Sequence, residues 1–157
     1  MESRKGRRMV TRQVDYAIRM LIFMALNKDK KYTTDEVAEI IDIPRSFLPR
    51  IIASLSAKKI IFTYRGKNGG IKLAKDPSEI SLMDVIEAID GHVVVSPCLV
   101  DVDMCNFVDV CKLRRFWENL QNTVMNVLNN TKISDLIVNY EEAKRKRSKR
   151  KAQGTDN

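Results

Sequence analysis

Thr33 and Glu36 stand three residues apart at the head of a short apolar period, which breaks at Asp42-Ile43-Pro44 and then resumes. In such a capping box the threonine oxygen accepts from the third helical amide while the glutamate reaches back to the cap amide, so the pair marks a helix start. Val37, Ala38, Ile40 and Ile41 supply the apolar side of that short helix. A second helix is predicted from Ser46, as N-cap, to about Lys58, with Leu48, Ile51, Ile52 and Leu55 inward. Pro49 is tolerated in its first turn, where the missing amide has no intrahelical partner. Upstream, Val14, Ile18, Leu21, Ile22 and Ala25 recur at helical spacing between Thr11 and Asn27, and a polar connector follows over 28–32. Downstream, two strand-like runs, 60–64 and 71–74, flank Gly66-Lys67-Asn68-Gly69-Gly70, a hairpin composition. Helix, capped short helix, tight turn, helix and hairpin define a winged helix-turn-helix, mostly α with a small β-hairpin wing.

Charge is distributed to match. Residues 44–75 hold Arg45, Arg50, Lys58, Lys59, Arg65, Lys67, Lys72 and Lys75 and no acid. Folding must gather these cations onto a small surface against their repulsion, which points to a polyanion, and with this element order to double-stranded DNA. The first turn of the second helix offers Arg45, Ser46, Phe47, Pro49 and Arg50 to base edges: arginine grips guanine bidentately, and phenylalanine or proline touches a thymine methyl. Thr33 and Thr34 are placed to donate to phosphates. Arg65, Lys67, Asn68, Gly69 and Gly70 form the wing tip, where arginine favours a narrow minor groove and glycine admits the backbone close to the sugars. Gly69 and Gly70 equally suit plain hairpin turning.

Ser81 opens a further helix through Val85, Ile86 and Ile89 to Asp90, and Gly91 ends it. Leu113, Phe116, Trp117, Leu120, Val124, Val127 and Leu128 then form a long helix whose apolar stripe is too wide for a surface element. A body this small offers little to cover it, so a second chain is expected. A last helix, about 133–143, leads into the basic tail 144–157, expected to be disordered until it meets phosphate. The net charge of +8 is carried by the ends, because residues 13–140 sum to zero. No apolar run reaches membrane-span length and no signal-peptide pattern opens the chain, so a cytoplasmic protein without a membrane partner is expected. Neither a serine-histidine or cysteine-histidine pairing nor an H-E-x-x-H or phosphate-loop motif is present, which speaks against an enzyme.

Residues 76–111 invert the charge bias: eight acids, no lysine or arginine, and all three cysteines, Cys98, Cys105 and Cys111. An odd cysteine number in a reducing compartment argues against a disulfide framework and for metal, cluster or redox chemistry. The C-x6-C-x5-C spacing is wider than a zinc knuckle, although zinc stays open; soft thiolates also hold iron-sulfur clusters, and three of them leave one ligand position to fill. His92, six residues before Cys98, suits a helix-end loop, and Trp117 suits core or dimer packing.

The phrase Val37 to Leu55, the wing Arg65-Gly-Lys-Asn-Gly-Gly-Ile, the helix Asp84-Val-Ile-Glu-Ala-Ile-Asp, the three-cysteine loop and Phe116-Trp-Glu-Asn-Leu together resemble the bacterial iron-sulfur winged-helix transcription regulators of the IscR, NsrR and RirA type, with the cluster-free cysteine-metabolism regulator CymR as a relative. The resemblance covers residues 9–140. It implies a homodimer with a long dimerisation helix, acting as a repressor at a palindromic operator and sensing nitric oxide, redox state or iron and iron-sulfur status. The implied cofactor is an iron-sulfur cluster, [4Fe–4S] ahead of [2Fe–2S], with Cys98, Cys105 and Cys111 as ligands. The cluster-assembly branch has a histidine three residues past the third cysteine; this chain has Arg114 there. The nitric-oxide-sensing branch instead takes a carboxylate from the partner's first helix, and the phrase Val10-Thr-Arg-Gln-Val-Asp-Tyr-Ala puts Asp15 in that place. An ordinary surface role for Asp15 is pairing with Arg12 or Arg19 at helical spacing. The alternative function is a cluster-free regulator switched by thiol oxidation or a metabolic partner protein. The expected division is a basic arm 1–8, a DNA-binding domain 9–80, a cluster-binding loop with dimerisation helices 81–143, and the tail 144–157.

Overall fold

The structure, a computed structural model, describes residues 10–137. Thr11 caps α1 (Arg12–Ala25) by accepting from the Val14 amide, and seven of the fourteen residues in this helix are buried. That makes α1 the central element: α2 (Thr34–Ile41), strand β2 (Gly70–Leu73), α4 (Leu82–Ile89) and a terminal turn all pack on it. Each large side chain removed from water here contributes roughly 1.5–3 kcal/mol.

The polar connector after α1 does more than link helices. Tyr32, within it, is 2% exposed and pairs with Ile71 through two backbone hydrogen bonds of 2.9 and 2.7 Å. It thereby adds a one-residue rung to the hairpin of β1 (Ile61–Tyr64) and β2, which pair antiparallel with Ile61 opposite Leu73 and Tyr64 opposite Gly70. Gly70 is required at that rung, because a Cβ there would lie 2.5 Å from the Tyr32 carbonyl oxygen. Ile61, Ile71 and Leu73 turn inward.

The capping box at Thr33 forms as expected, with the Thr33 amide donating to Glu36 Oε2 at 2.8 Å and the Glu36 amide donating to Thr33 Oγ1 at 3.2 Å. The start of the following helix differs from expectation: Ser46 is not its N-cap. Residues Arg45–Phe47 form a 3₁₀ turn and α3 runs Leu48–Ala57, capped by Phe47 without a side-chain bond. The cause is Pro49, whose missing amide leaves the Arg45 carbonyl without its i+4 donor. Leu48 donates to that carbonyl instead, tightening the first turn to 3₁₀ geometry.

Ser81 and Asp84 form a second reciprocal cap at α4, and Gly91, at φ +84°, ends the segment. Two 3₁₀ turns, Pro97–Leu99 and Val102–Met104, punctuate the cysteine loop before α5 (Lys112–Asn130). The chain then returns to its point of departure: Leu82 donates to the Thr131 carbonyl at 3.0 Å and Ile133 to the Ile80 carbonyl at 2.9 Å. The helix expected over 133–143 is not found in its described part. Ile133–Leu136 is a 3₁₀ turn closed by Asp135 on the Lys132 amide, and Ile137 is extended. Pairing with Ile80 and Ser81 holds 131–133 in extended geometry, and burial of Ile133 against α1 fixes the turn there. Residues 138–143 of that expectation, with the arm 1–8 and the tail 144–157, lie outside the described residues.

None of the nineteen residues of α5 is buried. Leu113, Phe116, Leu120 and Val127 lie along one stripe at 58%, 55%, 37% and 59% exposure, the face expected to need a partner. No helix among the described residues is long and apolar enough to cross a membrane.

Candidate nucleic-acid interface and cysteine loop

The capped end of α2, α3 and the wing surround a shallow depression of about 320 Å³ whose lining includes Thr33, Thr34, Gly69 and Gly70 together with Ile52 and Tyr64. Residues far apart in sequence are thus joined on one face. Arg45, Ser46, Pro49 and Arg50 stand exposed on the turn and first residues of α3, and Arg65, Lys67 and Asn68 stand exposed at the wing tip. Arg45 is not a bare cation, since its guanidinium lies 3.1 Å from the Asp35 carboxylate. Thr33 Oγ1 is engaged in its cap, whereas Thr34 is exposed. Phe47 is half-buried, edge-on to the Tyr16 ring with centroids 5.1 Å apart, so it links the turn before α3 to the first turns of α1.

Lys31 and Tyr64 join this face although neither belongs to the expected reading set. The Lys31 ammonium donates to the Asn68 carbonyl and lies 5.2 Å from the centre of the Tyr64 ring, bracing the wing tip against the connector. The available signal was Lys30-Lys31 directly before the capping box.

In the second region, Cys98, Cys105 and Cys111 are all free and partly buried. Cys111 is itself the N-cap of α5, its sulfur accepting from the Arg114 amide at 3.4 Å. Arg114 also donates from Nη1 to the Cys98 carbonyl at 2.6 Å and from Nε to Glu118 at 3.0 Å, so it touches both the first and the last cysteine residue. Ser96 Oγ lies 3.3 Å from the Cys98 sulfur. Among the described residues, no three cysteine, histidine or acidic side chains converge as a metal-holding group within the single chain. Asp15 sits in the first turn of α1, half-exposed, 3.0 Å from Arg19. His92 is almost fully exposed at the end of α4. The donor chemistry suits a soft-metal or iron-sulfur group: three reduced thiols without a disulfide among them.

Residues 10–139 match the Rrf2 family, described as "Iron-dependent Transcriptional regulator". The chain belongs to the Rrf2 family. It is 34% identical over 131 residues to an HTH-type transcriptional regulator of Aquifex aeolicus, covering 82% of this chain and 90% of that protein. To the HTH-type transcriptional regulator NsrR of Oceanobacillus iheyensis it is 33% identical over 130 residues, covering 82% and 88%. Among solved structures, CymR, the global cysteine regulator of B. subtilis, superposes with a TM-score of 0.68 at 19% identity, covering 82% of this chain and 95% of that one, a likeness of fold. This Rrf2 protein is therefore a winged-helix, DNA-binding transcriptional regulator and not an enzyme.

Proposed function

We propose that the chain acts as a homodimeric repressor sensing nitric oxide, redox state or iron and iron-sulfur status. In this reading Cys98, Cys105 and Cys111 of one protomer and the partner subunit's Asp15 hold an iron-sulfur cluster, [4Fe–4S] ahead of [2Fe–2S]. The observation that carries it is the set of three free, partly buried thiols on a loop seated at the head of α5, whose apolar face is uncovered. Burying that face between two copies would bring each loop to the neighbouring protomer, and two reading heads would suit a palindromic operator. When bound, such a cluster supplies chemistry sensitive to nitric oxide, oxidants and iron loss. A carboxylate is a harder, weaker donor to iron than thiolate, so Asp15 would be the most weakly held of the four ligands. Asp15 then pairs with Arg19, and Tyr16, beside it on α1, carries the change to Phe47 at the start of α3.

Within this division, 9–80 reads DNA through Thr33, Thr34, Arg45, Ser46, Phe47, Pro49, Arg50, Arg65, Lys67, Asn68, Gly69 and Gly70. Residues 81–143 sense and dimerise, and the basic ends contact phosphate in a cytoplasmic protein. Anaerobic purification tests the proposal. Brown protein with iron and sulfide, losing operator binding on nitric oxide treatment and holding less iron as Asp15→Ala, is expected. Colourless protein without iron or sulfide, whose DNA binding ignores nitric oxide, would sink it.

A second reading drops the cluster and leaves the thiols as an oxidation switch, or a partner protein as the signal. It is favoured by the dispersed thiols and by Asp15 already being paired with Arg19. Cysteine-to-alanine variants that regulate normally in cells would select the partner-protein form of it.

A further inference from the structure

Arg114 and Gln121 are seven residues apart on α5, two turns and about 10 Å along its axis, and so share a face. Gln121 brackets two alternate backbone groups of the preceding loop: its Nε2 donates to the Val93 carbonyl at 2.6 Å, and its Oε1 accepts from the Val95 amide at 2.9 Å. Two turns nearer the head of the helix, Arg114 donates to the Cys98 carbonyl and is steadied by Glu118. Residues 93–98 therefore run antiparallel along α5, held at both ends by side chains of the helix. The Arg114 amide meanwhile donates to the Cys111 sulfur. Beyond Cys98 the hydrogen bonds described for 101–110 stay within the loop, beginning with the Asp101 amide on the Pro97 carbonyl. Arginine carries five donors and no acceptor, so the residue at 114 cannot serve as a metal ligand, but it is well suited to gripping a carbonyl.

We infer that Arg114 and Gln121 are positioning residues that dock 93–98 on α5, so that the protein itself places Cys98 and Cys111 while Cys105 is the thiol that moves to join them. The use of that half-built set as a ligand frame rests on the cluster reading above; the clasp itself does not. Metal-free, full-length protein under reducing conditions separates the two. Pulses of N-ethylmaleimide followed by mass spectrometry report each cysteine, with Cys105 expected to react ahead of Cys98. Arg114→Met should raise the Cys98 rate about tenfold, as loss of a charge-assisted hydrogen bond implies, and leave Cys105 within about twofold. Arg114→Lys should recover part of the protection, because its ammonium still donates to the Cys98 carbonyl. Should Arg114→Met fold poorly by circular dichroism, Gln121→Leu carries the same test, read as faster amide hydrogen exchange at Val95. Cys98 as reactive as Cys105 in the wild type, or all three rising together in Arg114→Met, would overturn the clasp even in a protein that holds iron. Absence of iron and sulfide with the expected thiol pattern would remove the cluster and leave the clasp standing.

Discussion

Arg45 approaches any phosphate in the company of Asp35, 3.1 Å away, with both side chains 69% exposed. A pair so solvated contributes about 0–1 kcal/mol to folding, but its carboxylate repels DNA. Asp35→Asn, which also removes an acid from the first turn of α2, is therefore expected to cost at most about 1 kcal/mol of stability and to tighten operator binding about threefold at moderate salt, read by fluorescence anisotropy. Unchanged affinity would place Arg45 off the DNA face. Asp76 shows the opposite balance. The Lys28 ammonium at 2.6 Å and the Ser78 amide and hydroxyl hold its carboxyl at about 2, whereas in the unfolded chain it titrates at about 4. Its contribution is complete above the unfolded value and is lost as pH falls through the folded one. Melting temperature should decline between pH about 4 and about 2, and Asp76→Asn should flatten that part of the profile.

At the scale of elements, the caps were legible because each is local. Thr33 with Glu36, Ser81 at α4 and Gly91 after it act within four residues, and sequence spacing reports such contacts directly. The 3₁₀ turn at Arg45–Phe47 is harder to read, although its cause, Pro49, stands in the sequence: a proline tolerated in a first turn also removes the donor for the carbonyl four residues back. Tyr32 pairs with a residue 39 positions away and Arg114 reaches 16 positions back to Cys98, and no periodicity records either. The Tyr16–Phe47 contact belongs to the same class. If it links α1 to the reading head, Tyr16→Leu removes an aromatic contact worth about 0.5–1.5 kcal/mol. The ratio of operator affinities between cluster-loaded and cluster-free protein should then narrow, with iron content retained. An unchanged ratio would rule the link out.

For the whole molecule, the apolar stripe of α5 was foreseen from residue spacing, and the structure leaves it uncovered at Leu113, Phe116, Leu120 and Val127. If a second copy covers that stripe, as proposed, replacing Phe116 and Leu120 together by glutamate is expected to raise the dimer dissociation constant about 100-fold or more, measured by analytical ultracentrifugation. Wild-type melting temperature should rise with protein concentration and that of the variant should not. The stitched base at Ile80–Leu82 and Thr131–Ile133 adds a mechanical consequence. With Ile133 anchored on α1 and α4 packed alongside, the nineteen residues of α5 span about 28 Å from a fulcrum at the core to Cys111, an end tied by Arg114 to the Cys98 carbonyl. A tilt of about 5° at that fulcrum sweeps the cysteine end through about 2.5 Å. Under the proposed sensing, an ångström-scale rearrangement among the thiols would correspond to only a few degrees of rotation against the helix on which the reading head is built.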